Sequence, residues 1–91
     1  MDNPIQHDAQ AHRFNTVVDD VTGYVEYELD GDVMTITHTI VPPAIGGRGI
    51  AGGLMKTALE HARKQGLKVD PQCSYAEAWM RRHPDYADLR V

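Results

Sequence analysis

Five glycines within eight residues, from Gly46 to Gly53, place the strongest constraint on how this chain folds. The segment follows a strand-like run and precedes a run in which apolar residues recur at helical spacing. The first N–H groups of a helix have no partner inside it, and the helix dipole adds about half a positive charge there. Because glycines leave those N–H groups uncovered, the pattern predicts a helix N-terminus that binds the phosphate groups of a ligand.

Size and composition indicate one small globular domain. The chain has 91 residues, of which 42% are hydrophobic and 24% charged, and a single cysteine that forms no internal disulfide. We expect one domain over residues 1–91, with residues 1–11 as a loose arm. No apolar run resembles a signal peptide or a membrane span, so a cytoplasmic location is expected. The net charge of −4 argues against nucleic acids and anionic membranes as partners.

The first half of the chain predicts an antiparallel three-stranded meander. Its strands are expected at residues 13–18, 24–29 and 33–41. Residues 19–23 are predicted to form a turn, and Asp30-Gly31 is typical of a two-residue hairpin. In the third strand we expect Met34, Ile36, His38 and Ile40 to share one face.

The second half predicts a βαβ unit and a C-terminal helix. A helix is expected from Ile50 to Gln65, followed by a short parallel strand at residues 67–69. Ser74 with Glu77 forms a capping-box pattern, which predicts a second helix that ends near residue 82. The predicted order is β-β-β-α-β-α, and the class is α+β.

Two alternative interpretations of the glycines remain open. Gly47, Gly49 and Gly52 satisfy G-x-G-x-x-G, and Asp70 follows at about the distance of a ribose-binding acid in dinucleotide folds. Against this, a hairpin precedes the glycines and few residues follow Asp70. The other alternative is that the glycines only permit close packing between a helix and a strand.

The segment also resembles the acetyl-CoA site of the GNAT acetyltransferase superfamily. That signature is written Q/R-x-x-G-x-G/A, and this chain departs from it at the first position, which is Gly46. Further matching segments are His38-Thr39-Ile40-Val41-Pro42, Gly66-Leu67-Lys68-Val69, Pro71-Gln72-Cys73-Ser74-Tyr75 and Arg82-His83-Pro84. Together they are similar to the small, stand-alone GNAT-like family, over about residues 24–89.

This resemblance implies a minimal GNAT-like fold and a coenzyme A site. The residues it assigns to acetyl-CoA are Ile40, Val41, Gly47, Arg48, Gly49, Ile50, Ala51, Gly52 and Ser74. The diphosphate would lie on the glycine-loop amides, and the pantetheine arm between two splayed parallel strands. The thioester carbonyl would lie near Val41. No metal is expected, since the histidines lack metal-ligand spacing.

Cys73 and His38 are the candidate catalytic residues. Cys73 precedes a predicted helix, whose positive end stabilises the nucleophilic thiolate. The resemblance implies that this cysteine carries an acetyl group, but it can equally line the pocket during direct attack by an amine. His38 can act as a base near neutral pH or remain a hydrogen-bonded core residue.

The expected activity is therefore transfer of an acetyl group from acetyl-CoA to an unidentified acceptor, expected to be an amine. The alternative is a non-catalytic module that binds coenzyme A, and a dinucleotide-binding protein is a further one. A monomer or a weak homodimer is expected.

Overall fold

The computed structural model describes residues 4–91 and has, within them, five strands and two α-helices. The strands are β1 (Gln6–Asp8), β2 (Arg13–Val18), β3 (Val21–Asp30), β4 (Val33–Ile40) and β5 (Lys68–Pro71). The helices are α1 (Ile50–Gln65) and α2 (Ser74–Arg82). Two 3-10 segments, Pro43–Ile45 and Pro84–Leu89, follow β4 and α2.

The five strands form one mixed sheet in chain order. Strands β1 to β4 are antiparallel neighbours, and β5 lies parallel to β4 after the α1 crossover. This confirms the predicted α+β class and the predicted succession of a meander, a βαβ unit and a final helix. An additional short strand, β1, precedes that order.

Both helices pack on the same face of the sheet. A single buried cluster joins Val25 and Ile36 of the sheet to Leu54 and Leu59 of α1 and to Trp79 of α2. Burial of each large apolar side chain stabilises the fold by about 1.5–3 kcal/mol. Neither α1 nor α2, the helices of the described residues, combines the length and apolarity that a bilayer crossing needs.

The predicted turn at residues 19–23 is too long. Asp19 and Asp20 have φ angles of 51° and 63°, so a two-residue turn joins β2 directly to β3 at Val21. Aspartate tolerates this left-handed conformation better than most residues. Gly23 therefore lies inside β3, where a Cβ atom would lie 3.5 Å from the carbonyl oxygen of Ile40.

The expectation of a loose arm over residues 1–11 is wrong for Gln6–Asp8, which pairs with β2 as an edge strand. Residues 1–3 lie outside the described part of the chain. The strand is held by side chains, because the His7 ring stacks on Phe14 with centroids 4.2 Å apart. His7 Nε2 also forms a 2.5 Å hydrogen bond with the hydroxyl of Tyr27.

We expect His7 to make stability depend on pH. Burial, and then the nearby His61, lower the pKa of His7 below 6.5. The folded protein therefore binds this proton more weakly than the unfolded chain, and stability falls as the pH drops through 6.5. The effect is small, because the side chain is exposed and water screens its charge.

Thermal unfolding of wild type and His7→Gln, measured between pH 5 and 7.5, tests this expectation. The difference in stability between wild type and His7→Gln should shrink as the pH falls. A constant difference between the two proteins over this range would contradict it.

Candidate functional site

The glycine segment forms an exposed loop between the end of β4 and the start of α1. Gly47 and Gly49 have φ angles of 76° and 75°, which other residues rarely adopt. A Cβ atom added at either position would meet nothing within 4 Å. Close packing therefore does not account for these two glycines, so the packing interpretation does not hold for them.

The N-terminus of α1 has no side-chain cap. Gly49 occupies the N-cap position in the left-handed conformation, and the first helical hydrogen bond runs from the N–H of Gly53 to its carbonyl, at 3.1 Å. The N–H groups of Ile50, Ala51 and Gly52 precede that bond and have no acceptor within the helix. Together with the positive helix dipole they form a site suited to an anion.

Arg48 links this loop to the turn between β2 and β3. Its guanidinium donates to the carboxylate of Asp19 at 2.9 Å. Both side chains are at least half exposed, so the pair contributes less than about 1 kcal/mol. An arriving phosphate group can therefore compete for Arg48 at little cost.

A β-bulge in β4 changes which side chains face the helices. Tyr27 of β3 pairs with Ile36, whereas its neighbour Glu26 pairs with His38, so Thr37 is an extra residue. Side chains alternate from one face to the other along a strand, and an extra residue reverses that alternation. The predicted shared face is therefore wrong. His38 and Ile40 turn away from the helices, and Thr39 faces them.

Beyond the bulge, β4 has no parallel partner within residues 4–91. Its ladder with β5 ends where Ile36 pairs with Pro71. The N–H groups of Gln72 and Cys73 then both donate to the carbonyl of Ile36, at 3.0 and 3.1 Å, as the chain turns towards α2. The edge from Thr37 to Ile40 is thus left open beside β5.

Cys73, rather than the predicted Ser74, is the N-cap of α2. Its Sγ accepts a hydrogen bond from the N–H of Ala76 at 3.3 Å and lies 3.4 Å from the hydroxyl oxygen of Thr39. Ser74 is the first helical residue and is exposed. The predicted capping box also fails, because the Glu77 carboxylate accepts two bonds from Arg90, at 2.8 and 2.6 Å.

The structure separates the two candidate catalytic residues. Cys73 lies on the helix side of the sheet, where its neighbour is Thr39. The side chain of His38 is 62% exposed on the opposite face, and its Nε2 lies 4.0 Å from the carboxylate of Glu26. They therefore do not form a Cys–His pair.

Sequence reasoning missed the contribution of Thr39 and assigned Tyr75 only as a core or pocket-wall residue. Thr39 supplies the hydroxyl beside the thiol, and only the bulge reveals its direction. Tyr75 lies in the first turn of α2, and its hydroxyl is 3.7 Å from the position a Cβ atom of Gly52 would take. Burial raises the pKa of Tyr75, so this phenol stays protonated near neutral pH.

The dinucleotide alternative is wrong, because four antiparallel strands precede α1 and, among residues 4–91, only β4 and β5 form a parallel pair of strands. Asp70 instead accepts a hydrogen bond from Gln72 at 2.9 Å. In the part of the chain that the structure describes, no three His, Cys, Asp or Glu side chains converge as metal ligands.

Known proteins share this fold and this sequence pattern. The sequence model of the GCN5-related N-acetyl-transferase family matches residues 13–89. The NMR structure of a GCN5-like protein from Staphylococcus aureus superposes with a TM-score of 0.79 at 28% identity, covering 100% of this chain and 91% of that one. The protein NATD1 of Mus musculus is 31% identical over 83 residues, which are 88% of this chain and 76% of that protein. NATD1 of Homo sapiens is 30% identical over 83 residues, covering 88% and 74%.

Proposed function

This chain belongs to the GCN5-related N-acetyltransferase family, and we propose that it transfers an acetyl group from acetyl-CoA to an amine. One observation carries the proposal: the uncapped N-terminus of α1 lies at the end of β4, the strand whose free edge faces the thiol at the start of α2. This part of the fold thus combines an anion site, an open strand edge and a nucleophile.

The glycine loop would hold the diphosphate of the donor. The free N–H groups of Ile50, Ala51 and Gly52 supply donors aligned with the helix dipole. Gly47 and Gly49 leave the approach free of side chains, and Arg48 adds an exposed positive charge. Ser74, exposed as the first residue of α2, is our further candidate for a contact with the donor.

The open edge of β4 would hold the pantetheine arm. Beyond Ile36 the edge of β4 opposite β3 has no partner strand among residues 4–91, so its backbone groups can bond the two amides of the arm as a neighbouring strand would. Ile40 is the last residue of β4, and Val41 follows it, partly buried. This path brings the thioester carbonyl near Val41, where a backbone N–H can stabilise the oxyanion.

The position of Cys73 supports a route in two steps. The thiolate attacks the thioester carbonyl, a new S–C bond forms, and the bond to the sulfur of coenzyme A breaks. Coenzyme A leaves as a thiolate and takes up a proton. An acceptor amine then attacks the acetyl-cysteine, loses its proton to a base and releases the Cys73 thiolate.

His38 is our candidate for that base, and because its ring lies on the face opposite Cys73, the proton would reach it around the open edge of β4. Its ring lies on the open face of the sheet beside Glu26, and imidazole accepts protons near neutral pH. An amine that approaches from this face would meet His38 before reaching the edge of β4. The net charge of −4 mildly favours a cationic acceptor.

A first experiment compares thermal unfolding with coenzyme A and with NAD. A ligand at about 100 times its dissociation constant adds roughly 2.7 kcal/mol to stability. We expect coenzyme A to stabilise the protein and NAD to have no effect. If coenzyme A produces no shift, the donor site is not where we place it. If it binds but no amine is acetylated, the protein is a binding module.

We further expect Cys73 to become acetylated. Incubation with acetyl-CoA should add one acetyl group by intact mass, and desulfo-coenzyme A, which lacks the thiol, should block the addition by competition. Cys73→Ser is the appropriate variant, because a serine oxygen keeps the α2 cap that Cys73→Ala would lose at about 1 kcal/mol.

The two routes differ in what this variant retains. The carrier route predicts loss of both the acetyl adduct and of acceptor turnover. Full turnover by Cys73→Ser would show that the amine attacks acetyl-CoA directly and that the thiol only lines the pocket.

A further inference from the structure

The sulfur of Cys73 has hydrogen-bond partners on two different elements. The N–H of Ala76, in the first turn of α2, donates to it at 3.3 Å, and the hydroxyl oxygen of Thr39, in β4, lies 3.4 Å from it. Cys73 and Thr39 are both partly buried, so water screens their contact less than it would at an exposed site. The contact is therefore able to influence the chemistry of the thiol.

The backbone holds the hydroxyl and the thiol in register. The N–H of Cys73 donates to the carbonyl of Ile36 at 3.1 Å, which ties the cysteine to β4 three residues before Thr39. The hydroxyl of Thr37 donates to a carbonyl of β3 at 3.2 Å and so fixes the bulge. Thr39 then pairs with the buried Val25, so its side chain faces the helices. Its position beside the sulfur is thus set by the strand and not by a mobile loop.

A hydroxyl can bond this sulfur in either protonation state. As a thiol, Cys73 can donate its S–H to the oxygen of Thr39, whereas a thiolate only accepts, so the hydroxyl must then donate. The N–H of Ala76 donates in both states. The thiolate therefore has two donors and the thiol only one. Because hydrogen bonds to a charged group are stronger than those to a neutral one, this arrangement favours the ionised sulfur.

Charged side chains of the neighbouring elements are engaged elsewhere. On α2, the carboxylate of Glu77 accepts two hydrogen bonds from Arg90. On β5, the carboxylate of Asp70 accepts one from Gln72. On β4, the ring of His38 lies on the opposite face of the sheet. The side chain that does reach the sulfur is a neutral hydroxyl.

We propose that Thr39 is a further catalytic residue, whose hydroxyl donates a hydrogen bond to the Cys73 thiolate and so increases the amount of nucleophile at neutral pH. This rests on the proposed function, in which that thiolate attacks the thioester carbonyl. The negative charge leaves the sulfur when the S–C bond forms. It returns when the acceptor amine displaces the thiolate, and the same hydrogen bond then stabilises the leaving group.

Alkylation by iodoacetamide tests the proposal without coenzyme A. The thiolate displaces iodide, and because Cys73 is the only cysteine of the chain, intact mass follows this one reaction. Thr39→Val should react about threefold more slowly than wild type at pH 7, because fewer of its thiols are ionised. At pH 10 ionisation is complete, and the variant should react about threefold faster, since a thiolate without this hydrogen bond is the stronger nucleophile.

Two matched variants accompany Thr39→Val. Thr39→Ser keeps the hydroxyl and should restore the wild-type rates at both pH values. Thr35→Val removes a hydroxyl from the opposite face of the same strand and should also react like wild type, because Thr35 lies between the buried Met34 and Ile36. Circular dichroism at both pH values checks that each variant remains folded.

The reversal between the two pH values separates this role from a structural one. If Thr39→Val changes the rate in the same direction at both pH values, Thr39 controls only access to the thiol and the inference is overturned. Unchanged rates would overturn it as well. If the rates do reverse but acetyl-CoA leaves no acetyl group on wild-type Cys73, the hydrogen bond to the thiolate is supported and it is the proposed function that fails.

Discussion

Replacing Gly49 with aspartate should weaken coenzyme A binding on the order of 100-fold or more, while the protein remains folded. The new carboxylate would stand at the N-cap of α1, beside the N–H groups that we assign to the diphosphate. It would accept those hydrogen bonds itself and repel the ligand. Aspartate tolerates a left-handed φ such as the 75° of Gly49, so the cost to folding is small.

Two matched variants define the cause of this loss. Gly49→Asn has nearly the same shape without the charge and should weaken binding much less. Gly31→Asp adds the same charge at another left-handed glycine, with φ of 61° and nothing within 4 Å, in the turn between β3 and β4. It should bind coenzyme A like wild type. Equal losses for Gly49→Asp and Gly31→Asp in titration calorimetry would refute the local anion site.

Truncating Ile45 to alanine should lower the free energy of unfolding by about 2–5 kcal/mol. Ile45 is 0% exposed although it lies in the short 3-10 segment between β4 and the glycine loop. Its Cδ1 would be 3.6 Å from a Cβ atom at Gly23, so it anchors the loop against β3. The cavity left by truncation loses both the buried area and these contacts.

Thermal unfolding measures this effect directly. A loss of this size should lower the melting temperature by about 10 °C or more in a domain of this length. Ile45→Val should cost only about 0.5–1.5 kcal/mol. Val17→Ala, at a residue that is 56% exposed, should cost less than about 1 kcal/mol. A melting temperature for Ile45→Ala equal to that of Val17→Ala would show that the loop is not anchored by this side chain.

Local signals in the sequence predicted the elements around the glycine loop closely. Helix α1 runs from Ile50 to Gln65 as expected, and Gly66 ends it in the left-handed conformation. The parallel pairing of β5 with β4 is also confirmed, and so is a two-residue hairpin between β3 and β4, although its turn residues are Gly31 and Asp32 rather than Asp30 and Gly31, because Asp30 pairs with Val33. Each of these features depends on residues that are neighbours in sequence or on the handedness of a crossover.

Features that depend on distant contacts could not be predicted. The stacking of His7 on Phe14 holds β1 in place, and no periodic pattern in the sequence predicts this contact. A bulge leaves the hydropathy of β4 unchanged, so the direction of His38 is hidden in the sequence. The cap of α2 is a sulfur, which lies outside the usual set of oxygen caps, and Ser74 beside it was the better match to the rule.

Because of the extra residue at Thr37, the side-chain alternation of β4 differs before and after the bulge. Before it, the inward side chains of β4 are aliphatic and serve only the interior. After it, the alternation of side chains is reversed. Thr39 therefore places its hydroxyl beside the Cys73 thiol, and His38 exposes its imidazole to solvent. Within three consecutive positions, the strand thus presents a hydroxyl on the helix side and an imidazole on the open side. Deleting that single residue would remove the bulge but leave His38 opposite Glu26 and Thr39 opposite Val25, so both side chains would keep their faces.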